Sequence, residues 1–249
     1  MIGTGNVASV IGDRIHAAGH SIIQVWGRNT KMTQEIATNW NASFTCDWNG
    51  LDHSGDIYIY AVSDEALYHL QEISFLKEKL LVHTAGAVSM QVLNRISNRT
   101  GVLYPLQSLR KNITSANAHI PLLITSNNSN DLLLLQTLAD SISEGVKIVD
   151  DAQRLQLHLA AVMVNNFTNH LYTLAERYCS IHDLPFDQLQ PLIEETALRL
   201  RNFPPHELQT GPASRHDHKT IETHLDLLKD TPDIQEMYQW MSTRIMNKP

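Results

Sequence analysis

Short apolar runs alternate with helix-period stretches through the first 150 residues, and only helix-period stretches follow. Six runs read as strands: HSIIQVWGR (20–28), GDIYIYAVSD (55–64), KLLVHTAG (79–86), TGVLYPLQS (100–108), HIPLLITSN (119–127) and GVKIVDD (145–151). Several are apolar at successive positions, as expected of parallel strands covered by helices on both faces. The stretches between them, at 29–40, 63–79 and 131–143, carry helical spacing. This alternation predicts an α/β domain with a doubly wound parallel sheet over residues 1–150. An all-helical domain is expected over 151–249, beginning with one long helical pattern at 151–182. That pattern is apolar on nearly every side around Leu159 to Val164, as in helices buried between domains or subunits.

Composition narrows the class. The 249 residues are 43% hydrophobic and 18% charged, with 26 acidic and 19 basic side chains and a net charge of −7. That balance gives no support to nucleic acid or an anionic membrane as partner. Cys46 and Cys179 stand far apart, which suits a reducing compartment. With no signal-peptide pattern and no apolar run of roughly 18 residues, the expectation is a soluble, cytoplasmic protein.

The N-terminal stretch carries the first chemistry. Gly3-Thr4-Gly5-Asn6-Val7-Ala8 fits the dinucleotide fingerprint G-x-G-x-x-G/A. One glycine permits the tight turn, the next admits a phosphate close to the backbone, and Ala8 allows tight helix–sheet packing. Gly3, Thr4, Gly5, Asn6 and Val7 are therefore candidate cofactor contacts. Only Met1 and Ile2 precede the turn, so the sheet is expected to lack its first strand. That strand belongs in the middle of a 3-2-1-4-5-6 order. The expectation drawn from this is a start codon assigned too late or a truncated record. An upstream segment of about five to eight apolar residues, a usual strand length, is then expected to raise stability and NADPH affinity together.

At the end of the second strand, where an NAD-binding domain carries Asp or Glu, the chain has Gly27-Arg28-Asn29-Thr30-Lys31. A guanidinium pairs well with a 2′-phosphate, so Arg28 and Asn29 point to NADP; Asn29 is equally suited to cap the next helix. Ser63 and Thr84, at later strand ends, are candidates for the nicotinamide ribose, and Tyr104 and Gln107 for a substrate-facing wall. The same residue types also serve in ordinary turns. On the long helix, His158, Asn165 and Asn169 share one face, and Asn166 and His170 a neighbouring one, if the helix is regular. Arg215 in QTGPASRHDHKT suits a substrate carboxylate. The nearby His216, Asp217, His218 and His224 do not fall on one helix face, and no metal is assigned.

Taken together, GTGNVA, VWGRN, LLVHTAGAVSM, GVLYPLQSL, LHLAAVMVNNFTNHLY, LPFDQLQPLIEETA and QTGPASRHD carry a resemblance across the whole chain. It resembles bacterial proteins that join a Rossmann-like domain to a C-terminal helical domain of unknown function and are labelled NADP oxidoreductases. Their architecture is similar to that of pyrroline-5-carboxylate reductases and deazaflavin-dependent NADP reductases. The resemblance implies NADP as cofactor, hydride transfer to a small polar substrate (an imine, a ketone or a carboxylate-bearing molecule), and a homodimer built through the C-terminal helices. Related hydroxyacid dehydrogenases use a lysine on the first C-terminal helix as proton donor, and between Asp151 and Cys179 this chain has none. His158, Asn166 or Tyr104 would serve instead, with Arg215 as anion anchor. The missing lysine also keeps open a non-catalytic reading, an NADP-binding sensor or scaffold.

Overall fold

A computed structural model describes residues 1–113 and 118–247, which form two compact units, Met1–Asn166 and Phe167–Pro249. The first unit opens with helix α1 (Asn6–Ala17), strand β1 (Gln24–Trp26), helix α2 (Thr30–Asn39) and strand β2 (Ser43–Thr45). Strand β3 (Ile57–Tyr60), the one-turn helix α3 (Asp64–Leu67) and strands β4 (Leu80–His83), β5 (Arg99–Pro105) and β6 (Leu122–Ser126) follow. Helix α4 (Ser129–Ile142), strand β7 (Val146–Ile148) and helix α5 (Asp151–Ala161) complete it.

The sheet is parallel-dominated and Rossmann-like. β1 pairs with β2, and β3 to β7 pair in chain order. Between the two sets stands Ile2, a single bridge residue parallel to both Trp26 and Tyr60. Four backbone bonds hold it there: Trp26 N to Met1 O (2.9 Å), Gly3 N to Trp26 O (2.8 Å), Ile2 N to Ile59 O (2.8 Å) and Ala61 N to Ile2 O (2.8 Å). As expected, no strand precedes Gly3 among the described residues; Met1 and Ile2 keep its place with a single bridge. Toward the amino ends of β1 and β3 the gap widens into a cavity of about 430 Å³ lined by Ile15, Ile22, Leu51 and Tyr58.

Two expectations give way. β6 runs antiparallel to β5, not parallel. A parallel return needs a crossover, usually a helix, and the described residues between Pro105 and Leu122 contain none. The stretch 63–79 is not one helix but α3 and a separate 3₁₀ turn at Ser74–Glu78. Leu67, Leu70, Ile73 and Leu76 recur every three residues, so a 3.6-residue helix would swing them off a common face. With the helix broken, Leu67, Leu70 and Leu76 are all buried.

Strand alternation fills a core on each side of the sheet. Val25, Ile59, Leu80, Val82 and Leu103 face α1, α2 and α4, while Ile2, Trp26, Tyr60 and Leu81 face a second cluster with Leu67 and Leu93. The expected long helix is α5, a π-helical stretch at Val162–Phe167, and α6 (Thr168–Ile181). The second unit contains α6, α7 (Gln190–Arg199), α8 (His218–Leu227) and α9 (Pro232–Met246). Its core is small: Leu174, Leu228 and Ile234, with Tyr178, Met237 and Tyr238 partly buried around them.

Candidate functional site at the carboxyl edge of the sheet

Pairing in register brings the carboxyl ends of β1, β3, β4 and β5 to one edge, with Ile2 among them. Gly3 leaves that edge with φ +119°, and a Cβ there would lie 2.2 Å from the carbonyl oxygen of Ala61. Both facts demand glycine. Gly5 is the N-cap of α1 and supplies no side-chain cap, the first turn holds no acidic residue, and nothing lies within 4 Å of where its Cβ would be. The free N–H groups and positive dipole end of a twelve-residue helix thus open onto unfilled space, as an anionic group requires. Thr4 is half-buried, with its methyl group against Gly27, and Val7 packs partly buried against the core. Asn6 is exposed and its Oδ1 accepts from Lys111 N at 3.2 Å.

On the turn after β1, Arg28 is exposed and has no hydrogen-bond or ion-pair partner among the described residues. Asn29 caps α2, its Oδ1 accepting from Met32 N at 3.0 Å, so the capping role is the one its oxygen fills. Ser63 is exposed ahead of α3 and makes no capping bond. Thr84 is nearly buried, its N–H donating to Tyr60 O at 3.3 Å.

Two candidates that are 54 residues apart in sequence meet: the Tyr104 hydroxyl and His158 Nδ1 lie 2.9 Å apart, their rings edge to face. Tyr104 ends a strand and His158 lies half-buried on α5. The wall behind them is Gly86, where a Cβ would come within 2.6 Å of His158 Nδ1 and 2.8 Å of Tyr104 Cζ. Burial pushes the Tyr104 phenol above its usual range, and the Asp64 carboxylate adds to this while the Arg154 guanidinium opposes it.

Asn166 and Arg215 are not brought to this cluster within the first unit. Asn166 is exposed in the π-helical stretch, and Arg215 is exposed on a 3₁₀ turn of the second unit. The face shared by His158, Asn165 and Asn169 in a regular helix does not persist, because π-turns take up more residues per turn and shift the phase of everything beyond.

Sequence reasoning missed Arg154 and Asp151. Arg154, 1% exposed, donates from Nε to Gly86 O (3.3 Å), from Nη2 to Val88 O and from Nη1 to Asp151 Oδ1 (2.7 Å). The one available sign was spacing: Arg154 lies one helical turn before His158. Three further strand-end side chains hold buried polar atoms with no partner among the described groups: Trp26 Nε1, Tyr60 Oη and His83 Nε2. His83 Nδ1 accepts from Ala85 N at 3.2 Å.

Residues 120–245 match the family described as Domain of unknown function (DUF2520). This chain belongs to the DUF2520 family. A solved Bacteroides fragilis protein, provisionally described as an NADP oxidoreductase, is 35% identical to this DUF2520 chain. Its TM-score is 0.91, covering 99% of this chain and 96% of that one. The fold also matches a Streptococcus pyogenes 1-pyrroline-5-carboxylate reductase (TM-score 0.64, 14% identity, 99% of this chain and 97% of that one). A Myxococcus stipitatus imine reductase in complex with NADP⁺ matches similarly (TM-score 0.63, 15% identity, 98% and 91%). No curated protein matches the DUF2520 sequence.

Proposed function

We propose that this DUF2520 protein is an NADP-dependent oxidoreductase acting on a small polar substrate with a C=N or C=O bond. The observation that carries the reading is the Tyr104–His158 hydrogen bond, on the same sheet edge as the Gly3–Gly5 turn. The architecture shared with the pyrroline-5-carboxylate and imine reductases supports it. The space before Gly5 and the uncapped α1 fit a pyrophosphate, and the unpartnered Arg28 fits a 2′-phosphate. Thr4, Asn6 and Val7 flank that turn, while Asn29, Ser63 and Thr84 stand at neighbouring strand ends. The dinucleotide, when bound, supplies the hydride.

The chain's own residues supply the proton. A phenol held above its usual pKa stays protonated at neutral pH and is suited to donate to the reduced nitrogen or oxygen. When His158 Nδ1 carries its proton it donates to the phenol oxygen, freeing the phenol hydrogen for substrate. When Nδ1 is bare it accepts from the phenol. A single proton crossing the pair therefore recharges the acid. Asn166 would orient the reacting group and Arg215 would anchor an anionic substituent. The protein would act as a homodimer in the cytoplasm.

The test is turnover of NADPH against a panel of cyclic imines and keto acids, with thermal shifts measured for NADPH, NADP, NADH and NAD. Tyr104→Phe should lower turnover by roughly 10²-fold or more, the usual worth of a positioned general acid, with cofactor binding intact. Arg28→Ala should weaken NADPH about tenfold and spare NADH, since a charge-assisted bond to phosphate is worth at least about 1.4 kcal/mol. NADPH binding without turnover of any panel member would favour the sensor reading, and equal binding of NADH and NADPH would remove Arg28 from the site.

A further inference from the structure

We propose that Arg154 is the positioning residue of the Tyr104–His158 pair, acting through the backbone of Gly86 and not through contact with substrate or cofactor. The inference rests on the reading of that pair as the proton donor.

Arg154 and His158 are one helical turn apart on α5 and so share a face. The guanidinium is sealed from solvent and spends its donors on two carbonyls of the segment after β4, Gly86 O and Val88 O, and on Asp151 Oδ1. Asp151 completes the clamp from the other side. Its Oδ2 accepts from Ser89 Oγ at 2.5 Å and from Met90 N at 3.0 Å. Residues 86, 88, 89 and 90 are thereby tied to the first turn of the helix that carries His158. Gly86 is both the anchored residue and the wall beneath the pair, because its α-carbon is where Tyr104 and His158 close on each other. One side chain therefore sets two distances together, from wall to helix and from wall to pair.

An apolar residue would hold helix to loop at lower cost. Burying a guanidinium forfeits much of its hydration, which a single carboxylate only partly returns. What the arginine adds is direction. Its planar fork reaches two carbonyls and a carboxylate at fixed angles, where a methyl or a lysine ammonium fixes none. The positive charge also acts on its neighbours, opposing the rise in the Tyr104 phenol and helping to hold His83 neutral.

Full-length protein labelled with ¹⁵N-histidine tests this, the His158 ring signals being assigned by their loss in His158→Gln. In the parent protein the Nδ1 resonance should show the displacement of a hydrogen-bonded ring nitrogen. Arg154→Met should return it to the free-imidazole position while NADPH binding is unchanged, and Arg154→Lys should restore it only in part. An unmoved His158 signal in folded Arg154→Met overturns the proposal. If Arg154→Met does not fold, Asp151→Ala decides, since it removes the carboxylate that holds the guanidinium and the 89–90 segment and touches neither ring: an unmoved signal there overturns the proposal equally. Failure of every form to bind NADPH would instead defeat the functional reading, and leaves the His158 measurement standing as the test of Arg154.

Discussion

Gly3 and Gly86 are small for different reasons, and the difference separates what the sequence discloses from what it hides. Gly3 sits in a left-handed conformation against a backbone carbonyl, so Gly3→Ala should cost roughly 2–5 kcal/mol from strain and overpacking together, read as a lower denaturant midpoint. A loss below 1 kcal/mol, about a single mild substitution, would mean the turn is not as tight as described. This role is legible because Gly3 belongs to a local pattern with Gly5 and Ala8. Gly86 is small because two side chains from 18 and 72 residues further along lie against it, which no local pattern encodes. Arg154 was hidden in the same way. A lone arginine on a helix reads as solvent-facing, and its burial is decided by carbonyls 66 and 68 residues away. Asn29 shows the opposite case, a residue with two local readings whose oxygen fills the commoner one.

At the scale of elements, the strand runs were legible because their apolar content is dense and bounded by Gly, Pro and Asn. The direction of β6 follows from what lies between two runs, and the π-helical stretch has no local sign, since the spacing of its asparagines also suits a regular helix. Helix α7 has amphipathic spacing yet buries no residue, and Leu192 is 65% exposed. A helix without tertiary packing is marginal at ten residues. Its amides should therefore exchange with deuterium orders of magnitude faster than those of β5, which is buried along nearly its whole length. If Leu192, Leu198 and Leu200 are covered in a homodimer, α7 protection should rise with protein concentration alongside the mass measured by light scattering. Protection independent of concentration, in a species of monomer mass, would rule α7 out as a covered face.

For the whole molecule, the sharpest solution signature comes from His83. Burial first, and the Arg154 charge second, hold its imidazole at about 4, below the ordinary 6.5. The fold thus requires the neutral ring. Above pH 6.5 folded and unfolded chains both carry it neutral and the ring adds no pH dependence; from there down to about 4 the unfolded chain takes a proton that the fold refuses. Stability should fall by about 3 kcal/mol across that window, and His83→Gln should flatten the slope there. The carboxylates held low by hydrogen-bonding partners, Asp131 by Arg99 and Asp151 by Ser89 and Arg154, are shifted in the same downward direction and likewise lose stability as pH falls. Their contribution is present above their ordinary 3.8 and is lost only below it, so the two effects occupy separate pH ranges. A profile flat between pH 7 and 4.5 would show that His83 is not held neutral by the fold.

The row of unpartnered polar atoms on Trp26, Tyr60 and His83 has an evolutionary meaning as well as a structural one. Each is a donor withdrawn from water without return, which ordinary selection for stability would remove. Tyr60→Phe deletes one such atom at constant shape, and it should leave the melting temperature unchanged or raise it, by up to about 1 kcal/mol of stability. A clear drop would reveal an ordered water on that hydroxyl. Proteins keep such uneconomical groups mainly where activity depends on them, which is what the site proposed at this edge requires.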